Sequence, residues 1–260
     1  MTDFQHQVAI VTGTTGIGRA AAKLLAQRGA RVLACGIDTE ANESLKREGE
    51  ADKLAIEVRK CDVGSPTDTE STIATAVQLF GGVDVLVNAA AINPYGTVVE
   101  TDLATWNQCL TINVTGIFLF AKLCVPEMRK RGGGAIVNIA SVQGHACQRG
   151  VAAYATSKGA VLSLTRAMAL DHAADGIRVN SISPGSIRTP MLELAARTFS
   201  PELPVEQVFE RFGQAHPIGR IGTPEEVAEL IAFLSSPASS FCTGADYLVD
   251  GGLLAGIAVR

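Results

Sequence analysis

Tyr154-Ala155-Thr156-Ser157-Lys158 places a phenol and an ammonium four residues apart in an Ala- and Leu-rich stretch. At that spacing the two side chains share one face of a helix. An ammonium beside a phenol favours the phenolate and draws its pKa down from about 10, which fits Tyr154 for proton exchange near neutral pH. A second constellation, Thr12-Gly13-Thr14-Thr15-Gly16-Ile17-Gly18, follows an apolar run and opens an Ala-rich one. Its spacing is GxxxGxG rather than GxGxxG. Glycines between a strand and a helix allow a tight turn, and the helix N-terminus then offers free N–H groups to the pyrophosphate of a dinucleotide. Asp38 stands 20 residues after Gly18, an offset that fits an acid holding an adenosine ribose and equally a helix cap before Thr39-Glu40. The strand before it is expected to end at Cys35, so the strand tip is Gly36 and Asp38 falls one or two residues beyond.

These residues need a scaffold, and its rhythm is visible. Short β-rich runs are expected at Val8–Thr12, Arg31–Cys35, Leu54–Cys61, Val83–Asn88, Ala135–Ala140, Arg178–Ser183 and Tyr247–Asp250. Several are almost wholly apolar, as parallel strands covered on both faces are. Helical stretches lie between them: Arg19–Arg28 closed by Gly29, about Thr105 to Arg131 closed by Gly132, and Val151–Ala174 closed by Gly176. The alternation predicts an α/β fold, a single-domain, Rossmann-like doubly wound parallel sheet of about seven strands with helices on both faces, spanning residues 1–260. The proline-rich stretch of about 189–224 breaks the rhythm and is expected to be an irregular insertion serving as a substrate lid.

Composition narrows the classes. With 22 Lys and Arg against 26 Asp and Glu the formal charge is −4, which excludes a generally basic nucleic-acid-binding face. No 18 consecutive residues are all apolar, so no membrane partner is expected. The six cysteines (35, 61, 109, 124, 147 and 242) are scattered without a CxxC pair, which reads as free thiols in a cytoplasmic protein and no metal site.

Taken in order along the chain, these motifs resemble the classical short-chain dehydrogenase/reductase family. The likeness runs from Val8 to Gly252. It rests on Thr12–Gly18, Cys61-Asp62-Val63, the Asn88 segment, Ile112-Asn113-Val114, Ser141, Tyr154 with Lys158, Pro184-Gly185-Ser186-Ile187-Arg188-Thr189-Pro190 and Val249-Asp250-Gly251-Gly252. The resemblance implies an NAD(P)-dependent oxidoreductase. Tyr154 would exchange a proton with the substrate oxygen and Ser141 would orient that oxygen. Lys158 would hold the nicotinamide-side ribose, and Asn113 would anchor a proton-relay water. It also implies cofactor contacts from Gly13, Thr15, Gly16, Ile17, Gly18, Asp38, Asp62, Val63, Asn88, Pro184, Gly185, Ile187 and Thr189. The chain departs from the family pattern at Ala89-Ala90-Ala91, where Asn-Ala-Gly is usual, and at Gly36, where NAD-preferring relatives carry an acid.

Asp38 would repel a 2′-phosphate, so NAD is the expected cofactor, with NADP the alternative. Asn93, Gln143 and Arg149 are the expected substrate contacts, in a wall that also includes Tyr95, His145, Gln148 and Met191. This polar wall points to a small secondary alcohol or ketone: a sugar, polyol or hydroxy acid. A 3-oxoacyl thioester reductase of the same family is the alternative reaction, and a non-catalytic dinucleotide-binding regulator the alternative class. The apolar tail Leu253–Val259 and the long apolar helices suit a homotetramer.

Overall fold

The computed structural model describes residues 3–256. Strand β1 (Val8–Thr12) is buried at all five positions and leads into α1 (Gly16–Gln27). Then follow β2 (Arg31–Gly36), α2 (Thr39–Ala51), β3 (Ile56–Lys60), α3 (Pro66–Phe80) and β4 (Val85–Asn88). The second half holds α4 (Leu103–Leu110), α5 (Gly116–Lys130), β5 (Gly134–Ile139), α6 (Ala152–His172), β6 (Ile177–Pro184), α7 (Pro190–Phe199), α8 (Val205–Gln214), α9 (Pro224–Ser235) and β7 (Asp246–Val249). All seven expected strands form, each within about two residues of its expected ends.

The strands make one fully parallel sheet in the order β3-β2-β1-β4-β5-β6-β7. The chain winds outward from β1 to β3, then crosses back to β4 and winds the other way. The crossovers on either side of β1 and β4 therefore diverge and leave a crevice at the carboxyl ends of those strands, where ligands of such sheets bind. Each face of the sheet carries its own core. On one, Ala21, Ala22, Leu25 and Ala26 of α1 pack with Val227, Ala228, Ile231 and Ala232 of α9. On the other, Phe120, Cys124 and Met128 of α5 join Val161 and Met168 of α6 over Leu86 and Ile136. Each such Leu or Ile contributes roughly 1.5–3 kcal/mol by leaving water. Edge strand β3 carries charges at three of its five positions, Glu57, Arg59 and Lys60, a pattern that discourages edge pairing.

Two expectations change here. The single helix expected from about Thr105 to Arg131 is interrupted by a π turn at Thr111–Thr115, with the Gly116 N–H reaching back five residues to the Thr111 carbonyl. The inserted residue rotates Asn113 to full burial. By length and composition the helical stretch Leu103–Lys130 could cross a membrane, with a mean hydropathy of 1.7, although no 18 of its residues are all apolar. Its inward face is the core just described.

The second change concerns residues 189–224, which are ordered rather than irregular. Helices α7 and α8 are built there around a small core of their own, Ala196, Val208 and Phe209. Three of the five prolines of 189–224 stand at helix starts, Pro190 opening α7, Pro204 just before α8 and Pro224 opening α9, where a missing N–H costs nothing, while Pro201 and Pro217 lie in turns. Thr223 and Glu226 close a reciprocal capping box on α9. The Arg220 guanidinium beside Glu226 holds its carboxyl down to about 2.

Candidate active site

A cleft of about 420 Å³ opens at the carboxyl ends of the central strands. The glycine-rich turn forms one end. The α1 N-terminus has no side-chain cap, since Thr15 makes no such bond, and its first turn contains no acid. The free N–H groups and helix dipole there suit an anion. Gly13 adopts φ +91°, a conformation that disfavours any side chain. A Cβ on Gly18 would stand 2.1 Å from the Gly13 carbonyl oxygen, so glycine there lets the helix fold back onto the turn. This pairing of an uncapped helix start with a glycine cradle fits the pyrophosphate of a nicotinamide dinucleotide.

Next to the turn the polar groups are satisfied within the protein. Thr14 donates to Asn42 Oδ1 at 2.7 Å, and Asn42 donates to the Gly36 carbonyl at 2.9 Å. The Thr12 hydroxyl accepts the N–H groups of Ala89 and Ala90 at 3.1 and 3.2 Å. Among the described residues, only His6 and Lys53 are non-glycines with positive φ. Ala91 therefore replaces the usual glycine without left-handed strain. Asp38 lines the cleft and caps α2, accepting the Ala41 N–H at 3.0 Å, so the two readings of this acid are compatible. Asp62 and the buried Val63 line the wall beside it.

The other end holds the groups capable of chemistry. Helix α6 buries Tyr154, Ser157, Lys158, Val161 and Thr165 along one face. Lys158 Nζ donates to the Ile139 carbonyl at 2.7 Å and lies 5.4 Å from the centre of the Tyr154 ring. Ser141 follows β5 by two residues in extended conformation, and its hydroxyl accepts the Gln143 N–H at 3.1 Å. Burial pushes Tyr154 up to about 12, opposed by a hydrogen bond from Ser141. Burial likewise pulls Lys158 down to about 8. The expected lowering of the tyrosine is thus reversed: desolvation outweighs the Ser141 hydrogen bond that favours the phenolate.

Asn113 does not line the cleft. It holds the loop after β4 by accepting the Ile92 N–H and donating to the Ile92 carbonyl, both at 2.9 Å, and it also donates to Ser157 at 2.9 Å. Three further expected contacts lie away from the cleft surface. Gly18 is buried under the turn. Asn88 donates to Asn138 Oδ1 at 2.9 Å within the sheet. Arg149 is exposed and does not line the cleft, although its neighbour Gln148 does. His145 also lies off the cleft, paired with Asp246 at 2.7 Å.

Gly13, Thr15, Gly16, Ile17, Asp38, Asp62, Val63, Pro184, Gly185, Ile187, Thr189, Asn93, Gln143, Ser141, Tyr154 and Lys158 do line it. The wall is less polar than expected. Ile92, Val142, Leu192, Phe199 and Phe212 also face it, the last three from α7 and α8. The amphipathic pattern of 205–214 was the available signal for Phe212. Ser157, within the Tyr154–Lys158 spacing, was the available signal for the partner of Asn113.

The sequence profile of a family described as "Enoyl-(Acyl carrier protein) reductase" matches residues 11–254. The chain is 39% identical to cis-4-hydroxycyclohexanecarboxylate dehydrogenase of Sinomonas cyclohexanicum over 254 residues, 97% of this chain and 98% of that protein. Its structure superposes with a TM-score of 0.92 on ligand-free aldohexose dehydrogenase of Thermoplasma acidophilum, at 34% identity, covering 100% of this chain and 98% of the other. It superposes at 0.91 on a single-site variant of actinorhodin polyketide ketoreductase with NADPH, at 36% identity, covering 97% of this chain and 98% of the other.

Proposed function

Because the chain belongs to the short-chain dehydrogenase/reductase family, oxidoreductases that act on CH–OH groups with a nicotinamide cofactor, we propose that Tyr154 exchanges the proton while hydride moves between NAD and a small polar secondary alcohol or ketone. The observation that carries this reading is the buried set Ser141, Tyr154 and Lys158, gathered at one end of a cleft whose other end is an uncapped helix start. When bound, the nicotinamide supplies the hydride acceptor or donor. The protein's own part is orientation and proton traffic. Ser141 fixes the substrate oxygen against Tyr154. Lys158 offers its remaining donors to a ribose, and its positive charge, 5.4 Å from the centre of the Tyr154 ring, favours phenolate over phenol. Asn113 acts through the Ile92 loop and Ser157, which keep α6 and the loop after β4 in register.

The choice of NAD rests on charge. At the adenosine end the cleft presents Asp38 and Asp62, and Lys158 is its one lining cation among the described residues. Arg19, the nearest candidate for a 2′-phosphate, is engaged by Glu48 and by Ser44. Helices α7 and α8, with their separate core, serve as the lid. A homotetramer accounts for two apolar surfaces, one at Leu103 and Phe118 of the α4–α5 stretch and one at Phe233, Phe241 and Leu248 beside edge strand β7. Leu253 lines the cleft, and the end of the apolar tail, Ile257-Ala258-Val259, lies outside the described residues. Six free cysteines, four of them buried, suit the cytoplasm.

A panel of neutral alcohols and sugars, followed by the absorbance of reduced nicotinamide with each cofactor, tests the reading. Oxidation with NAD favoured at least about tenfold over NADP is expected. Tenfold preference for NADP overturns the cofactor choice, and inertness toward every alcohol and ketone overturns the reaction. A monomer-sized species in sedimentation removes the tetramer.

A further inference from the structure

The turn that carries Ser141 is held in three ways. The first is internal: the Ser141 hydroxyl accepts the Gln143 N–H at 3.1 Å, and its carbonyl accepts the Gly144 N–H at 2.9 Å. The shape of the turn therefore aims the hydroxyl. The second is close packing on α6, where a Cβ on Gly144 would stand 3.1 Å from the carbonyl carbon and oxygen of Lys158. The third is made of side chains. His145, the next residue, reaches the edge of the sheet, with its Nε2 2.7 Å from Asp246 Oδ2 and 3.4 Å from the Ser183 hydroxyl. Asp246 opens β7 in register with Ser181, whose hydroxyl donates to its Oδ1 at 2.6 Å. Each carboxylate oxygen of Asp246 thus has a partner, and the partner of Oδ2 comes from a loop 101 residues away in the chain.

Ser, His and Asp together suggest nucleophilic catalysis, which this geometry excludes. A relay needs the hydroxyl and the carboxylate on opposite ring nitrogens. Here both approach Nε2, and Ser183 is fully buried. With a carboxylate at 2.7 Å, Nε2 carries the proton and donates it, a charge-assisted bond of the stronger kind. The His145 side chain is 38% exposed, so it adds little to either core. What it fixes is the far end of the Ser141 turn, against the last strand of the sheet.

Resting on the oxidoreductase reading above, we propose that His145 and Asp246 are positioning residues: their hydrogen bond ties the Ser141 turn to β7 and so sets where the Ser141 hydroxyl stands against the substrate oxygen. A misplacement of about 1 Å in a group that orients the reacting atoms costs up to about 10²-fold in rate.

Turnover read as kcat per NAD-binding site, counted by titration, leaves unfolded chains out of the comparison. His145→Ala and Asp246→Ala should each lower it about tenfold, with NAD affinity within about twofold of wild type. His145→Gln should restore it to within about threefold, because the amide nitrogen reaches the place of Nε2. In a Ser141→Ala background His145→Ala should cost less than about twofold, since nothing is left for it to position, whereas a merely structural role would persist. Without turnover, amide exchange at Gln143 and Gly144 should quicken about tenfold in His145→Ala and return in His145→Gln. An equal loss with and without Ser141, full turnover in either alanine variant, or unaltered exchange overturns the proposal. Exchange that responds as expected in a wild type inert toward every alcohol and ketone leaves the tie standing and counts against the reaction.

Discussion

The two ends of the cleft are built on opposite principles. At the glycine turn the side-chain polar groups are satisfied within the protein: Thr14 by Asn42, Asn42 by Gly36, Thr12 by two backbone amides, and Arg19 by Glu48, which leaves the backbone N–H groups of the α1 start as the free donors. That end recognises its ligand through backbone shape and a helix dipole. At the reacting end Lys158 and Tyr154 are buried at a cost that moves both pKa values away from their ordinary range, and Asn93 and Tyr95 keep unpaired atoms. The difference is one of cost: the reacting end keeps buried groups with displaced pKa values and unpaired atoms, which stability alone would not select.

The contrast can be broken by substitution. The largest effect belongs to the shape-built end. Gly18→Ala drives a Cβ against the Gly13 carbonyl oxygen and should cost about 3 kcal/mol, with loss of dinucleotide affinity, read by denaturant unfolding and titration. An unchanged midpoint would show that the turn yields freely.

Lys158→Met should do the reverse and stabilise the ligand-free protein while abolishing turnover. The displacement from 10.5 to about 8 corresponds to about 3 kcal/mol, less about 1 kcal/mol for the Ile139 carbonyl left unpaired, for a net gain of about 2 kcal/mol at pH 7. The sign follows from linkage. Below about pH 8 the lysine is charged in both states and the full penalty applies. Between about pH 8 and 10.5 the folded protein has lost the proton that the unfolded chain keeps, so wild-type stability gains on the variant as pH rises. A pH-independent difference would contradict the buried-ammonium account.

Asn138→Ala sharpens the picture between the two ends. It unpairs Asn88 and Thr165, both 2.9 Å away and buried, and should lower the unfolding free energy by about 1.5 kcal/mol without changing the cofactor preference. The smallest effect is Asp38→Asn. Asparagine keeps the α2 cap but removes the charge, so the NAD-over-NADP ratio should fall about fivefold with stability unchanged. A ratio that does not move assigns the discrimination elsewhere.

The strands and the turn were legible because their signals are local: Val8–Thr12 is apolar throughout, and the glycines stand at a strand–helix junction. The π turn was not, because no residue at Thr111–Thr115 marks an inserted backbone position; burial of Asn113 against Ile92 and Ser157, 21 and 44 residues away, goes with it. The prolines of 189–224 read as irregularity, although Pro190 and Pro224 serve as first residues of helices. Arg149 matched the cleft by sequence distance from Tyr154, but its side chain is exposed outside the cleft, and sequence distance does not tell Arg149 from the adjacent Gln148, which lines it. The raised Tyr154 pKa was equally hidden, since spacing shows the lysine but not the depth of burial.

The central claim is that Tyr154 supplies the proton while the cofactor is held by other groups. Comparing Tyr154→Phe with the wild type, in turnover of a secondary alcohol and in the dissociation constant for NAD, addresses it in one experiment. The account predicts a fall in kcat of about 10³-fold with cofactor affinity within about twofold. Turnover retained within tenfold, or cofactor binding lost along with it, would contradict it.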